Sequence, residues 1–192
     1  MVAARHTFIF TDLVGFTALT AEYGDERAAD IAQEFYARTR RLLAEHRAEE
    51  LKTLGDALML RCDEPAFAIR LGLRIVGEIE RMPGCPAVRV GMHSGTAVSR
   101  EGDWYGSTVN IAARLCSAAG GGEVLVSEAT LEGIGRLRGV MLEDRRLHWL
   151  KNVSEPVAAQ IAAERRGWFK RRRDVACPHR RSQQGHLLEA TA

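Results

Sequence analysis

The sequence predicts an α+β domain whose elements follow the order βαββαβ, with additional short strands toward the C-terminus. Three observations carry this expectation. Residues 7–10, 51–60 and 88–93 are β-branched, aromatic or alternating apolar runs. Residues 25–46 and 65–81 repeat apolar side chains at helical spacing. Breaks rich in Gly and Pro, notably Pro83-Gly84 and Gly120-Gly121-Gly122, separate the segments. Such alternation argues for a sheet covered by helices on one side, the ferredoxin-like or palm arrangement.

Each element has its own signal. Thr7-Phe8-Ile9-Phe10 reads as a strand that runs into the Gly-containing turn Thr11-Asp12-Leu13-Val14-Gly15-Phe16-Thr17, leaving Asp12 at the strand's end. Taken alone, Asp12 reads equally as a helix cap. Ala28, Ile31, Ala32, Phe35, Thr39, Leu42 and Leu43 mark one helical face, with Asp25 and Glu26 suited to the first turn and Arg40, Arg41 and Arg47 to the end. Leu51–Leu60 reads as two strands meeting at a turn near Gly55. Asp63-Glu64-Pro65 opens a second helix that stops at Pro83-Gly84. Residues 88–93 alternate as a strand, and 99–102 form a polar connection. Ser107 is the expected N-cap of a helix that places Asn110 and Arg114 one turn apart on the same face. Residues 123–126, 140–142, 147–150 and 157–162 complete the sheet.

Composition bounds the class. The 192 residues suit one domain at residues 1–163, with enough apolar content to bury a core. No run reaches the length of a membrane span and no signal-peptide core follows Met1, so the expected location is cytoplasmic. Cys62, Cys85, Cys116 and Cys177 lack CxxC spacing and read as free thiols. Residues 1–163 carry 19 basic and 22 acidic side chains, whereas 164–192 carry 8 and 3. The tail is expected to be basic and disordered, with nucleic acid or an anionic surface as a secondary contact. Cys177, His179 and His186 form only an irregular metal-ligand pattern.

One stretch stands out within this frame. Lys52-Thr53-Leu54-Gly55-Asp56 sets a cation and a carboxylate across a glycine inside an apolar run, in a chain whose 27 basic residues include only Lys52, Lys151 and Lys170 as lysines. A local Lys52–Asp56 ion pair at a hairpin is the plain alternative.

Thr11–Thr17, Lys52–Ala57, Val90–Gly95 and Asp103–Arg114 together resemble, in order and spacing, the catalytic domain of class III nucleotide cyclases over residues 5–162. The resemblance implies that Asp12 and Asp56 hold two divalent cations, Mg²⁺ or Mn²⁺, and that Gly15, Phe16 and Thr17 face the phosphates. It implies that Lys52 and Asp103 select the base, and that Asn110 and Arg114 act on the transition state. Lysine donating to adenine N1 and a carboxylate accepting from its 6-amino group favour ATP over GTP. The implied activity is that of an adenylate cyclase working as a head-to-tail homodimer, with sites shared between protomers. The alternatives are a guanylate cyclase, a silent cyclase-like partner, and a nucleic-acid module working through the tail. The link from Gly95 to Asp103 is shorter than in many relatives, and no sensor segment precedes residue 5, so upstream regulation is expected to be absent.

Overall fold

The computed structural model describes residues 4–165. Expectations about the tail beyond Arg165, including Cys177, His179 and His186, fall outside the described residues. The elements are β1 (Arg5–Leu13), α1 (Phe16–Tyr23), α2 (Asp25–Leu43), β2 (Ala48–Leu54), β3 (Ala57–Cys62), α3 (Pro65–Ile79), β4 (Val88–Thr96), β5 (Val98–Arg100), β6 (Asp103–Tyr105), α4 (Ser107–Ala118), β7 (Val124–Ser127), α5 (Glu128–Leu131), β8 (Val140–Leu142), β9 (Arg146–His148) and β10 (Val157–Glu164).

The main sheet runs β2-β3-β1-β4-β7-β10-β8, with β9 also paired to β10. Its first four strands pair antiparallel, as βαββαβ connectivity requires, and β4 and β7 pair in parallel. The expected α+β core with added C-terminal strands is therefore present.

Alternation along β1 divides the core into two layers. Ile9 and Leu13 join Leu58 and Leu60 under α2 and α3 in the larger cluster. Phe8 and Phe10 face the other way and pack with Met59 against Val109, Ala112 and Cys116 of α4. The helices of the βαββαβ unit thus share one face, while α4 covers the opposite one. Gly91 makes that second layer possible, because α4 crosses β4 so closely that a Cβ there would lie 1.9 Å from the Cys116 backbone nitrogen.

Several local features differ from the sequence reading. Ser107 is the first residue of α4, not its cap; Gly106, at φ 141°, occupies the cap position. The connection after Gly95 folds as the β5–β6 hairpin, with Arg100 opposite Asp103. Two short helices were not anticipated. α1 follows from Gly15, whose φ of 79° turns the chain out of β1 at a conformation that glycine adopts freely. α5 starts where the Ser127 hydroxyl accepts from the Thr130 N–H.

Candidate active site

Asp12 shares the parity of Phe8 and Phe10, so its carboxylate lies on the α4 face at the end of β1. Arg89, directly opposite it on β4, donates from Nε to Asp12 Oδ2 at 2.7 Å and from Nη1 to the Ser117 carbonyl of α4 at 3.0 Å. Asp56 lies in the β2–β3 turn, beside the Asp12↔Ala57 pair. Burial raises its carboxyl above the ordinary value; the neighbouring Asp12 charge adds to the rise, while its own backbone N–H and Arg89 oppose it. Two acidic groups are thus held close enough to feel each other, with one guanidinium between them and neutrality.

The turn that presents Asp56 is itself fixed. Gly55 takes φ 63°, and the Tyr36 hydroxyl of α2 donates to its carbonyl. Lys52 depends on a further irregularity. Glu50 opposes Leu60 but Lys52 opposes Met59, so Leu51 is the extra residue of a β-bulge. Plain alternation would send Lys52 to the side of Glu50, whose carboxylate meets Arg40 of α2. The bulge turns it to the α4 side, where Nζ lies 2.8 and 2.7 Å from the two oxygens of Asp103. Lys52 therefore pairs 51 residues away and not with Asp56, against the local hairpin reading.

The Lys52 hydrogen bond, followed by that from the Trp104 N–H, holds the Asp103 carboxyl below its usual range. Trp104 anchors the hairpin that carries it. Its ring lies 4.8 Å from His6 and 5.5 Å from Phe8, with the Arg61 guanidinium over it at 4.9 Å.

Asn110 and Arg114 project from the exposed face of α4, and neither side chain has a hydrogen-bond or ion-pair partner among the described residues. Gly15 precedes α1, so the Phe16 and Thr17 amides belong to the helix's unsatisfied first turn. The Phe16 ring packs on the larger core and Thr17 is exposed. Within one chain the residues thus form separate sets: Asp12, Asp56 and Arg89 near the start of α1, Lys52 with Asp103, and Asn110 with Arg114. No side-chain hydrogen bond or ion pair joins the first set to the second among the described residues. Arg89 and Trp104 were not singled out from sequence. The only signal for Arg89 is its register against Asp12, which appears once the strands are paired.

Residues 3–147 match the adenylate and guanylate cyclase catalytic domain. A pH-sensitive adenylate cyclase of Mycobacterium tuberculosis is 39% identical over 133 residues, 69% of this chain and 33% of that protein. An adenylate cyclase of Streptomyces griseus is 38% identical over 129 residues, 67% of this chain and 32% of that protein. The chain therefore spans about a third of the length of these curated relatives. Among solved structures, an adenylate cyclase of Trypanosoma brucei studied in its monomeric state superposes with a TM-score of 0.72 at 26% identity, covering 84% of this chain and 94% of that one. With three-quarters of its length inside the matched domain, this chain belongs to the adenylate and guanylate cyclase catalytic domain family.

Proposed function

We propose that the chain is an adenylate cyclase, converting ATP to 3′,5′-cyclic AMP and pyrophosphate. The observation that carries this reading is the Lys52–Asp103 pair, a donor and an acceptor held side by side on the α4 face. Adenine presents the matching acceptor and donor, whereas guanine presents both reversed and would set like against like. The named activity of the bacterial relatives points the same way.

Asp12 and Asp56 suit divalent cations by the chemistry of their donors. Hard cations such as Mg²⁺ bind through one or two carboxylates and fill the remaining positions with phosphate oxygens and water. Among the described residues no group of three or more His, Cys, Asp or Glu is set for a metal, so a site completed by substrate fits better than a cage of protein ligands. When bound, such ions lower the pKa of the ribose 3′-hydroxyl and neutralise charge on the departing pyrophosphate.

The protein's own groups supply the rest. Lys52 and Asp103 orient the base. Asn110 positions the ribose, and Arg114 places a guanidinium against the charge that develops at the α-phosphate. The Gly15–Thr17 backbone offers N–H groups to the phosphates. Because the two carboxylates and the base pair form separate sets within one chain, the reading requires a head-to-tail homodimer, in which Asp12 and Asp56 of one protomer face Lys52, Asp103, Asn110 and Arg114 of the other. No helix among the described residues is long and apolar enough to cross a membrane.

Product identification tests the reading. The chain is incubated with ATP or GTP and Mg²⁺ or Mn²⁺, beside Asp56→Ala. Cyclic AMP from the parent and none from the variant is the expected result. Cyclic GTP as the main product, or no cyclic product from a dimeric sample, would overturn it.

A further inference from the structure

On the α2/α3 side of the sheet, away from α4, the structure holds a second concentration of charge. Arg70 and Arg74 stand one turn apart on α3, Arg138 precedes β8, and Arg165 follows β10. The four line one open pocket of about 530 Å³, together with Glu45 and Glu164. An adjoining pocket shares Arg138 and Arg165 and adds Arg136, with no acidic residue in its wall. Three parts of the chain are brought together to do this: the Arg165 N–H donates to the Gly139 carbonyl at 2.9 Å, and Leu137 and Val140 pack on the larger core.

None of these five arginine side chains has a hydrogen-bond or ion-pair partner among the described residues. Elsewhere Arg38, Arg40, Arg47, Arg61, Arg81, Arg89 and Arg145 meet carboxylates, and others such as Arg41, Arg100 and Arg114 stand unpaired among the described residues but apart; what distinguishes these five is that they converge on one concave surface. Residues 1–165, which include the whole cluster, carry 20 basic and 23 acidic side chains, so the cluster is segregation and not average composition. Five guanidinium groups against two carboxylates leave an excess of three positive charges around a concave surface. Like charges gathered this way repel one another until a counter-charge binds. Guanidinium forks match phosphate oxygens in pairs, and the apolar walls formed by Leu73 and Val140 weaken the competition from water. The pocket's volume lies within the range of small-molecule sites, roughly 300–1,000 Å³.

We propose that this arginine-lined pocket is a second anion site, separate from the nucleotide site, that binds a compact ligand bearing two or more phosphate charges. A short polyphosphate and an anionic phospholipid headgroup share that chemistry.

The full chain is titrated with inorganic tripolyphosphate in EDTA, by calorimetry and by thermal unfolding, beside Arg70→Gln/Arg138→Gln. The expected result is saturable binding that raises the parent's Tm, weakened about tenfold for each guanidinium removed. Without ligand the variant should unfold at or above the parent's temperature, since two mutually repelling charges are gone; if it unfolds below it, Arg70→Gln alone is compared. Sedimentation with phosphatidylcholine vesicles, with and without cardiolipin, whose headgroup carries two phosphates, separates the sources. Retention that depends on both cardiolipin and the two arginines assigns the site to a headgroup, and tripolyphosphate binding that depends on the two arginines, without such retention, assigns it to a free phosphate compound. The proposal is overturned if neither probe binds the parent, or if whichever probe binds the parent binds the variant as tightly.

Discussion

Arg89 closes on the one carboxylate that would otherwise face Asp56 uncompensated: its Nη2 lies 2.5 Å and its Nε 2.7 Å from the same oxygen of Asp12. The same guanidinium reaches back to α4 through the Ser117 carbonyl, so the cation that the proposed function assigns to Asp12 would have to displace or share it.

Arg89→Gln is expected to lower stability in EDTA by about 1–3 kcal/mol, because a half-buried carboxylate loses its partner beside a second one. Mn²⁺ should recover most of that loss, since it supplies the missing charge. Chemical denaturation with and without Mn²⁺ measures both. A variant as stable as the parent in EDTA would show that the pair contributes nothing.

Lys52→Glu with Asp103→Cys should erode ATP preference by about a hundredfold or more in the ratio of kcat/KM values. Glutamate accepts from guanine N1 and its 2-amino group, and a thiol donates to the 6-oxo group. Parallel assays with ATP and GTP decide it, and an unchanged ratio would sink this account of base selection.

The parts legible in the sequence were those written in local pattern. Asp12 at a strand end, the Gly55 turn, and Asn110 with Arg114 on one helical face follow from alternation, glycine and helical spacing. What was hidden depends on pairing. The Leu51 bulge, which decides the face to which Lys52 points, leaves no mark in an apolar run, because Leu51 suits a strand in either register. Arg89 looks like any half-exposed strand residue until β4 is laid against β1. Trp104 lies just past the polar connection at 99–102 and carries no local signal of its own, yet its ring packs against two residues of β1 and so seats Asp103. The second helical layer was equally invisible, since Gly91 signals a close crossing only when the crossing element is known.

Gly91 gives the sharpest mechanical test. A Cβ there would meet the Cys116 nitrogen at 1.9 Å and the Leu115 carbonyl carbon at 2.5 Å, all backbone atoms that cannot swing aside. Gly91→Ala is expected to cost more than about 3 kcal/mol and to lift α4, with its Asn110 and Arg114, off the sheet. Gly77→Ala is the control. It lies in α3, with the tip of Arg81 at 3.7 Å as its nearest contact, and should gain roughly 0.5–1 kcal/mol from helix propensity. Equal urea midpoints for the two variants would contradict the close crossing.

His93 links the fold to pH. Its ring bonds the Ser127 hydroxyl at 2.8 Å, and Ser127, Thr130, Ser94 and Thr7 continue as a chain of buried hydroxyls. Burial, aided by the Arg5 charge, pushes the imidazole from 6.5 down to about 4. Between these values the unfolded chain holds a proton that the folded chain does not, so stability rises with pH and is lost as pH falls from 6.5 toward 4. The full loss is roughly 3 kcal/mol, from 1.36 kcal/mol per pH unit. His93→Gln keeps a hydrogen-bonding group without the titration. Urea unfolding at intervals from neutral pH down to pH 4 should show a shallower acid slope for the variant, and identical slopes would mean that the imidazole is not the group responsible.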